Sequence, residues 1–296
     1  MALDTILNSK LILGTVQMGL PYGINNTIGK VPLDNSLKIL DYAFNNGIRT
    51  LDSAEAYGDS HEVIGNYHNK FNNSFKVISK FSSKRLDLPN NLIERVHENL
   101  HTLNVKSLYS YMFHTFNDLK INYNNFKEDL LYLKNLNKIN KIGVSIYTNE
   151  ELEEVLKYED IGLIQIPFNL FDNSFHRKEI LLKAKSKGVE VHVRSAFLQG
   201  LFFKDINTIK GKMLPLKPYL IQLEDIKNKY NINTETLALK YVLQKDYIDN
   251  VLIGVDSITQ LKKNIEICSK DIDIPKSSID EINVKNNNLL NPLSWI

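Results

Sequence analysis

Cysteine is almost missing: Cys268 stands alone in 296 residues, so no disulfide can close within the chain and no cysteine metal cluster is available. No basic motif surrounds Cys268 to lower its thiol pKa, and it reads as a buried helix residue rather than a nucleophile. Long apolar runs are missing too, since none approaches the ~20 residues that a membrane-spanning helix needs. The opening MALDTILNSK has an early acid and no apolar core, so it is not read as a signal peptide. Charge of one sign is lacking: 36 Lys and Arg face 34 Asp and Glu, a formal net charge of +2, which argues against nucleic acid or an anionic membrane as partner. There is neither a GxGxxG after the first strand nor a Walker phosphate loop. No low-complexity linker divides the chain. These absences leave a cytoplasmic globular protein.

What is present is a repeating pattern. With 43% hydrophobic and 24% charged residues, the chain can bury a large core. Eight short apolar runs read as strands: Leu11–Thr15, Arg49–Leu51, Lys76–Lys80, Leu108–His114, Lys141–Ile146, Gly162–Pro167, Val189–Ser195 and Asn250–Val255. Helix signals fall between them. Asp34 is placed to cap a helix that Gly47 stops, and Ser60 to cap another that runs to Phe71. Further helices are expected near 90–103, 126–136, after a Thr148–Glu151 capping box, and over 178–186, 218–229, 234–244, 257–268 and 277–284. The stretches 16–29 and 197–216 and the tail from Asn286 read as loops. Alternation of this kind allows a closed (β/α)8 barrel or an open doubly wound sheet. Eight strands and no dinucleotide fingerprint favour an α/β fold of the TIM-barrel type, one domain over 1–296 with parallel strands and outer helices.

A barrel gathers its active site at the C-terminal strand ends. Those ends are polar here: Asp52, Lys80, His114, Ser145, Gln165 and Arg194. Tyr57 follows Asp52 in a turn closed by Gly58. Lys80 would stabilise a tyrosinate and so lower the phenol's pKa, while Asp52 would neutralise the buried Lys80. His114 could hydrogen-bond a carbonyl oxygen and orient it. Such a set suits proton donation to a carbonyl as hydride reaches its carbon, and hydride requires a cofactor. Gln165 and Ser145 could hold a carboxamide, and Gly254 with the following helix N-terminus could take a phosphate.

The chain resembles the aldo-keto reductases over nearly its whole length. The resemblance rests on LDSAEAYGDSHEVIG, on ISK at Ile78–Lys80, on the strand-end His114, on IGVS at Ile142–Ser145, on Gln165 with Asn169, on QGL at Gln199–Leu201, and on IGV with QLKKN at Ile253–Asn264. It implies a TIM barrel, carbonyl reduction, and NADP(H) as the favoured cofactor with NAD(H) as the other choice. It implies Tyr57 as proton donor, Asp52 and Lys80 as its tuning pair, and His114 as the substrate-positioning group. Cofactor contacts are expected from Thr15, Ser145, Gln165, Arg194, Ser195, Gly200, Gly254, Asp256, Gln260 and Asn264. The expected partner is a small-molecule carbonyl compound, with no nucleic acid and no membrane. Two other functions stay open: a sugar or polyol dehydrogenase working in the oxidising direction, and a cofactor-binding regulatory subunit.

Three departures from the family's pattern stand out. Ile146 follows the strand-five Ser where Asn is common. Arg194 stands where an aromatic often stacks on nicotinamide, and a substrate carboxylate or phosphate is the alternative contact for its charge. Gln260 takes the place of an Arg that contacts a 2′-phosphate. Lys262 and Lys263 are near but expected to point along different helix directions, and Asp256 could bond a ribose hydroxyl.

Other signals compete. His97, Glu98 and His101 spell HExxH, yet the apolar stripe Leu92, Val96, Leu100 and Leu103 turns both histidines outward, which disfavours zinc. Tyr109, Tyr111 and Phe113 read as packing. Tyr22 and Trp295 are candidates to line the substrate pocket, and Lys204, Lys210 and Lys212 read as solvated.

Overall fold

The computed structural model describes residues 10–295 except 25, 27 and 72. The reading of the opening MALDTILNSK therefore falls almost entirely outside the described residues. Eight strands form: β1 Leu11–Gly14, β2 Thr50–Asp52, β3 Lys76–Phe81, β4 Leu108–Phe113, β5 Ile139–Ser145, β6 Ile161–Pro167, β7 Glu190–Arg194 and β8 Asn250–Gly254. They pair in sequence order, and β8 closes onto β1 to complete a barrel of parallel strands. Helices lie between the strands and after β8: α1 Leu33–Asn45, α2 Ser60–Lys70, α3 Leu92–Leu103, α4 Phe116–Asn135, α5 Asn149–Val155, α6 Ser174–Ser186, α7 Lys217–Tyr230, α8 Thr234–Leu243 and, beyond β8, α9 Ile258–Ser269.

Strands of a parallel sheet are covered on both faces, so they appear in the sequence as continuous apolar runs. One face packs under the helices. The other fills the barrel, where Ile12, Ile78, Met112, Leu163 and Leu252 form a separate apolar cluster. Two residues beyond Ile78, Met112 and Leu163, the same alternation supplies the polar strand ends Lys80, His114 and Gln165.

The helix boundaries follow local chemistry. Thr148 and Glu151 form the expected capping box. Thr115 accepts from the backbone of Asp118, so α4 begins ten residues earlier than the periodicity suggested, at Phe116 rather than Phe126. Asp34 lies in the first turn of α1 behind Pro32 and does not cap it. Ser60 is the first residue of α2 rather than its cap, because its hydroxyl turns inward to Thr15 and Ser53 at 2.7 and 2.8 Å. The last helix is short, Lys276–Asp280, and the tail makes two 3-10 turns.

Candidate active site

The turn after β2 is clamped at backbone level. A Cβ on Gly19 would lie 1.7 Å from the carbonyl oxygen of Tyr57, and one on Gly58 would lie 2.3 Å from the carbonyl oxygen of Gly19. Only glycine permits this approach, and Gly58 also adopts a φ of 54°. Below the turn, Thr15 Oγ1 donates to the Asp52 carbonyl at 3.0 Å. Thr15 is fully buried with its hydroxyl engaged there and with Ser60, although the residue also borders the cavity described below.

Asp52 and Lys80 form a buried ion pair, with Lys80 Nζ 2.8 and 2.7 Å from the two carboxylate oxygens. Gln165 Nε2 donates to Asp52 Oδ1 at 2.8 Å. Lys80 Nζ also donates to Tyr57 Oη at 3.4 Å, and the His114 ring meets the Tyr57 ring edge-on at a centroid distance of 5.6 Å. The structure thus brings Asp52, Tyr57, Lys80 and His114 together at one end of the barrel.

The electrostatics differ from the sequence expectation in one respect. The Tyr57 phenol is raised, not lowered: burial disfavours the phenolate, Asp52 adds to the effect, and Arg194 opposes it. Both Asp52 oxygens face Lys80, so the ammonium reaches the phenol already compensated. Burial also lowers Lys80, against the pull of Asp52. His114 is lowered to about 4 by burial and then by Lys80, so its imidazole is neutral at pH 7. Tyr57 accordingly holds its proton and sits beside a donor able to receive the charge it would leave.

Tyr57 and Asp52 border a cavity of about 460 Å³, in the range of small-ligand sites. Gln165, Arg194, Ser195, Gly200, Gly254, Asp256, Gln260 and Asn264 border it as well. Lys80, His114 and Ser145 lie outside its lining, and Ser145 sits opposite Gln165 in the β5–β6 pairing. Tyr22 lines the cavity, but Trp295 does not: its indole Nε1 donates to the Leu289 carbonyl at 3.0 Å. Ile146 is fully buried, and its carbonyl accepts from Arg194 at 3.1 Å. Lys263 borders the cavity and pairs with Glu235 of α8, whereas Lys262 lies over the Tyr42 ring.

Sequence reasoning missed two supports of this site. Glu55, two residues before Tyr57, is buried and accepts five hydrogen bonds. Arg95 supplies two, at 3.0 and 2.6 Å, and the Ser82 N–H, Asn99 and Tyr111 supply the others at 3.0, 2.8 and 2.6 Å. Arg95 and Asn99 belong to α3, so the outer helix grips the turn that carries the phenol. The second support is the segment after β7. Ser195, Leu198, Gln199 and Gly200 all have left-handed φ values of 62, 47, 53 and 94°. Non-glycine residues pay of order 1–2 kcal/mol for this conformation, and it persists here along the cavity wall. On α3, His97 and His101 are exposed, as the stripe required. Tyr111 and Phe113 are buried, while the Tyr109 hydroxyl donates to Glu190 at 2.8 Å.

Residues 10–287 match the family described as the Aldo/keto reductase family. The chain belongs to that family. Its members are carbonyl oxidoreductases that use nicotinamide cofactors. Aldo-keto reductase YhdN of Bacillus subtilis is 24% identical, the match covering 78% of each chain. Among solved structures, aldo-keto reductase AKR11C1 from Bacillus halodurans, in its holo form, is 20% identical with a TM-score of 0.73, over 93% of this chain and 92% of that one. Glycerol dehydrogenase AKR11B4 from Gluconobacter oxydans is 19% identical with a TM-score of 0.67, over 92% and 90%. At these identities the structural likenesses carry the fold. For the family member described here, no group of metal-binding side chains occurs among the described residues. No described helix is long and apolar enough to cross a membrane.

Proposed function

We propose that the protein is an NAD(P)H-dependent reductase of aldehydes or ketones in which Tyr57 donates the proton. The observation that carries this reading is the phenol of Tyr57 at the cavity wall, with Lys80 donating to its oxygen and Asp52 holding Lys80. As the phenol gives up its proton to a carbonyl oxygen, the adjacent ammonium receives the charge left on Oη. Asp52 makes that ammonium tolerable in a buried position. Neutral His114, edge-on to the Tyr57 ring, does not compete with it as an acid.

The wall suits a nicotinamide dinucleotide. Gln17 Oε1 and Asp256 Oδ1 are buried acceptors without a donor, and both residues border the cavity. A Cβ on Gly254 would lie 2.5 Å from the Gln17 amide, so glycine keeps that wall open. Gln165, Ser195, Gly200, Gly254, Asp256, Gln260 and Asn264 are the residues that would hold the cofactor, which supplies the hydride that no side chain can.

The family habit favours NADPH. A second reading, NADH, is favoured by two acidic groups at that end: the donorless Asp256 oxygen, suited to a ribose hydroxyl, and Glu235, which occupies Lys263. Fluorescence titration with NADPH against NADH separates these readings. Loss of cofactor oxidation by an aldehyde in Tyr57→Phe tests the proton donor. Equal turnover by Tyr57→Phe and the parent would remove Tyr57 from that role, and failure of both cofactors to bind would end the whole reading.

A further inference from the structure

Arg194 ends β7, borders the cavity beside Tyr57 and Tyr22, and has no part in the proton-donating group. It is fixed from two directions. Nη2 donates to the Ile146 carbonyl at 3.1 Å, and the guanidinium carbon lies 4.2 Å from the centre of the Tyr147 ring. A guanidinium has five N–H donors in one plane, and a single carbonyl with a ring face leaves most of them available. Arg85, Arg95 and Arg177 hold Asp87, Glu55 and Asp172 respectively. Arg194 has no such ion pair among the described residues.

The balance of charge at the phenol end is therefore uneven. Asp52 and Lys80 cancel one another, Tyr57 holds its proton, and His114, lowered by burial to about 4, is neutral. Arg194 contributes the remaining positive charge. Burial raises the phenols of Tyr57 and Tyr22, and the Arg194 charge opposes the rise at both. The side chain thus acts where the substrate carbonyl has to sit to receive the Tyr57 proton. A cationic oxidised nicotinamide would be a poor neighbour for this guanidinium, whereas an oxyanion would match its fork.

We propose that Arg194 binds an oxyanion of the substrate, a carboxylate or phosphate, so that the preferred carbonyl compounds are anionic. The proposal rests on the reductase reading for its substrate and adds to it the chemistry of the substrate's other end.

Two matched pairs test it: succinic semialdehyde against its methyl ester, and glyceraldehyde 3-phosphate against glyceraldehyde. Within each pair the carbonyl is kept and the charge is removed. A charge-assisted hydrogen bond to Arg194 gives the charged member of at least one pair a kcat/KM advantage of about tenfold or more. The pair with the larger ratio distinguishes carboxylate from phosphate. In Arg194→Gln the ratio collapses towards one, mainly through KM. In Arg194→Lys, which keeps the charge and loses the fork, it returns in part. Ratios near one in the parent, or a ratio that survives Arg194→Gln while both members slow equally, overturn the proposal. A calorimetric titration keeps this separate from the reductase reading. Binding of 4-hydroxybutyrate that is lost in Arg194→Gln, against butane-1,4-diol as the neutral control, supports the oxyanion site even if no aldehyde turns over. Absence of that difference, with aldehyde reduction intact, refutes the site and leaves the reductase standing.

Discussion

Replacing Arg95 with Met removes the only cation that pairs with the buried Glu55 carboxylate among the described residues, while keeping much of the side chain's volume. Two of the five hydrogen bonds to Glu55 go with it, as does the 2.7 Å bond to the Ser82 carbonyl and the guanidinium contact with the Phe81 ring at 4.6 Å. Asn99, Tyr111 and the Ser82 N–H stay, so the carboxylate remains solvated by three neutral donors. Removing one partner of a buried pair costs about 3–5 kcal/mol, chiefly because the other charge is left uncompensated. For a chain of this size that lowers the melting temperature by on the order of 10 °C. Urea unfolding followed by circular dichroism measures the change. The double variant Glu55→Leu with Arg95→Met should be less damaging than the sum of the single changes, because it leaves no orphan charge. The partial loss should also appear in catalysis, since Glu55 ties the Tyr57 turn to α3. A stability within 1 kcal/mol of the parent for Arg95→Met would refute the view that this pair anchors the turn.

Two further outcomes follow from the same geometry. In Gly19→Ala the new methyl meets the Tyr57 carbonyl, with 1.7 Å available, so the turn has to shift; stability falls by about 1–3 kcal/mol and kcat by roughly a hundredfold, read by unfolding and steady-state kinetics. Burial lowers both His61 and His114 to about 4, and the unfolded chain takes up these protons near the ordinary value of about 6.5. The stability they contribute is present above that value and is lost as pH falls from about 6.5 through 4, so the urea midpoint declines across this window and His61→Gln flattens the decline.

The strands were legible nearly to the residue because buried parallel strands carry continuous apolar runs that loops interrupt sharply. The residues at their ends were legible because six polar side chains interrupt those runs at one position each. Arg95 and Asn99 were not read as buried, although they fall on the same helical stripe as Leu92, Val96, Leu100 and Leu103. Their spacing held the signal, and it was masked by the usual exposure of arginine and asparagine on outer helices. The left-handed residues Ser195, Leu198, Gln199 and Gly200 include only one glycine and so gave no local sign. The depressed phenol expected from Lys80 did not appear because the argument left out the phenol's burial and the direct repulsion of a phenolate by Asp52.

The meeting of Gly19 with the Tyr57–Gly58 backbone bears on how such a protein could change its taste. Since neither glycine has a side chain to vary, the Tyr57 phenol is held at a fixed station relative to β1. Novelty is confined to the surrounding parts: Tyr22 from the first loop, Tyr147 after β5, and the segment from Arg194 to Gly200. A lineage can exchange these without disturbing the Tyr57 turn, so the pocket's clientele can change around a fixed phenol.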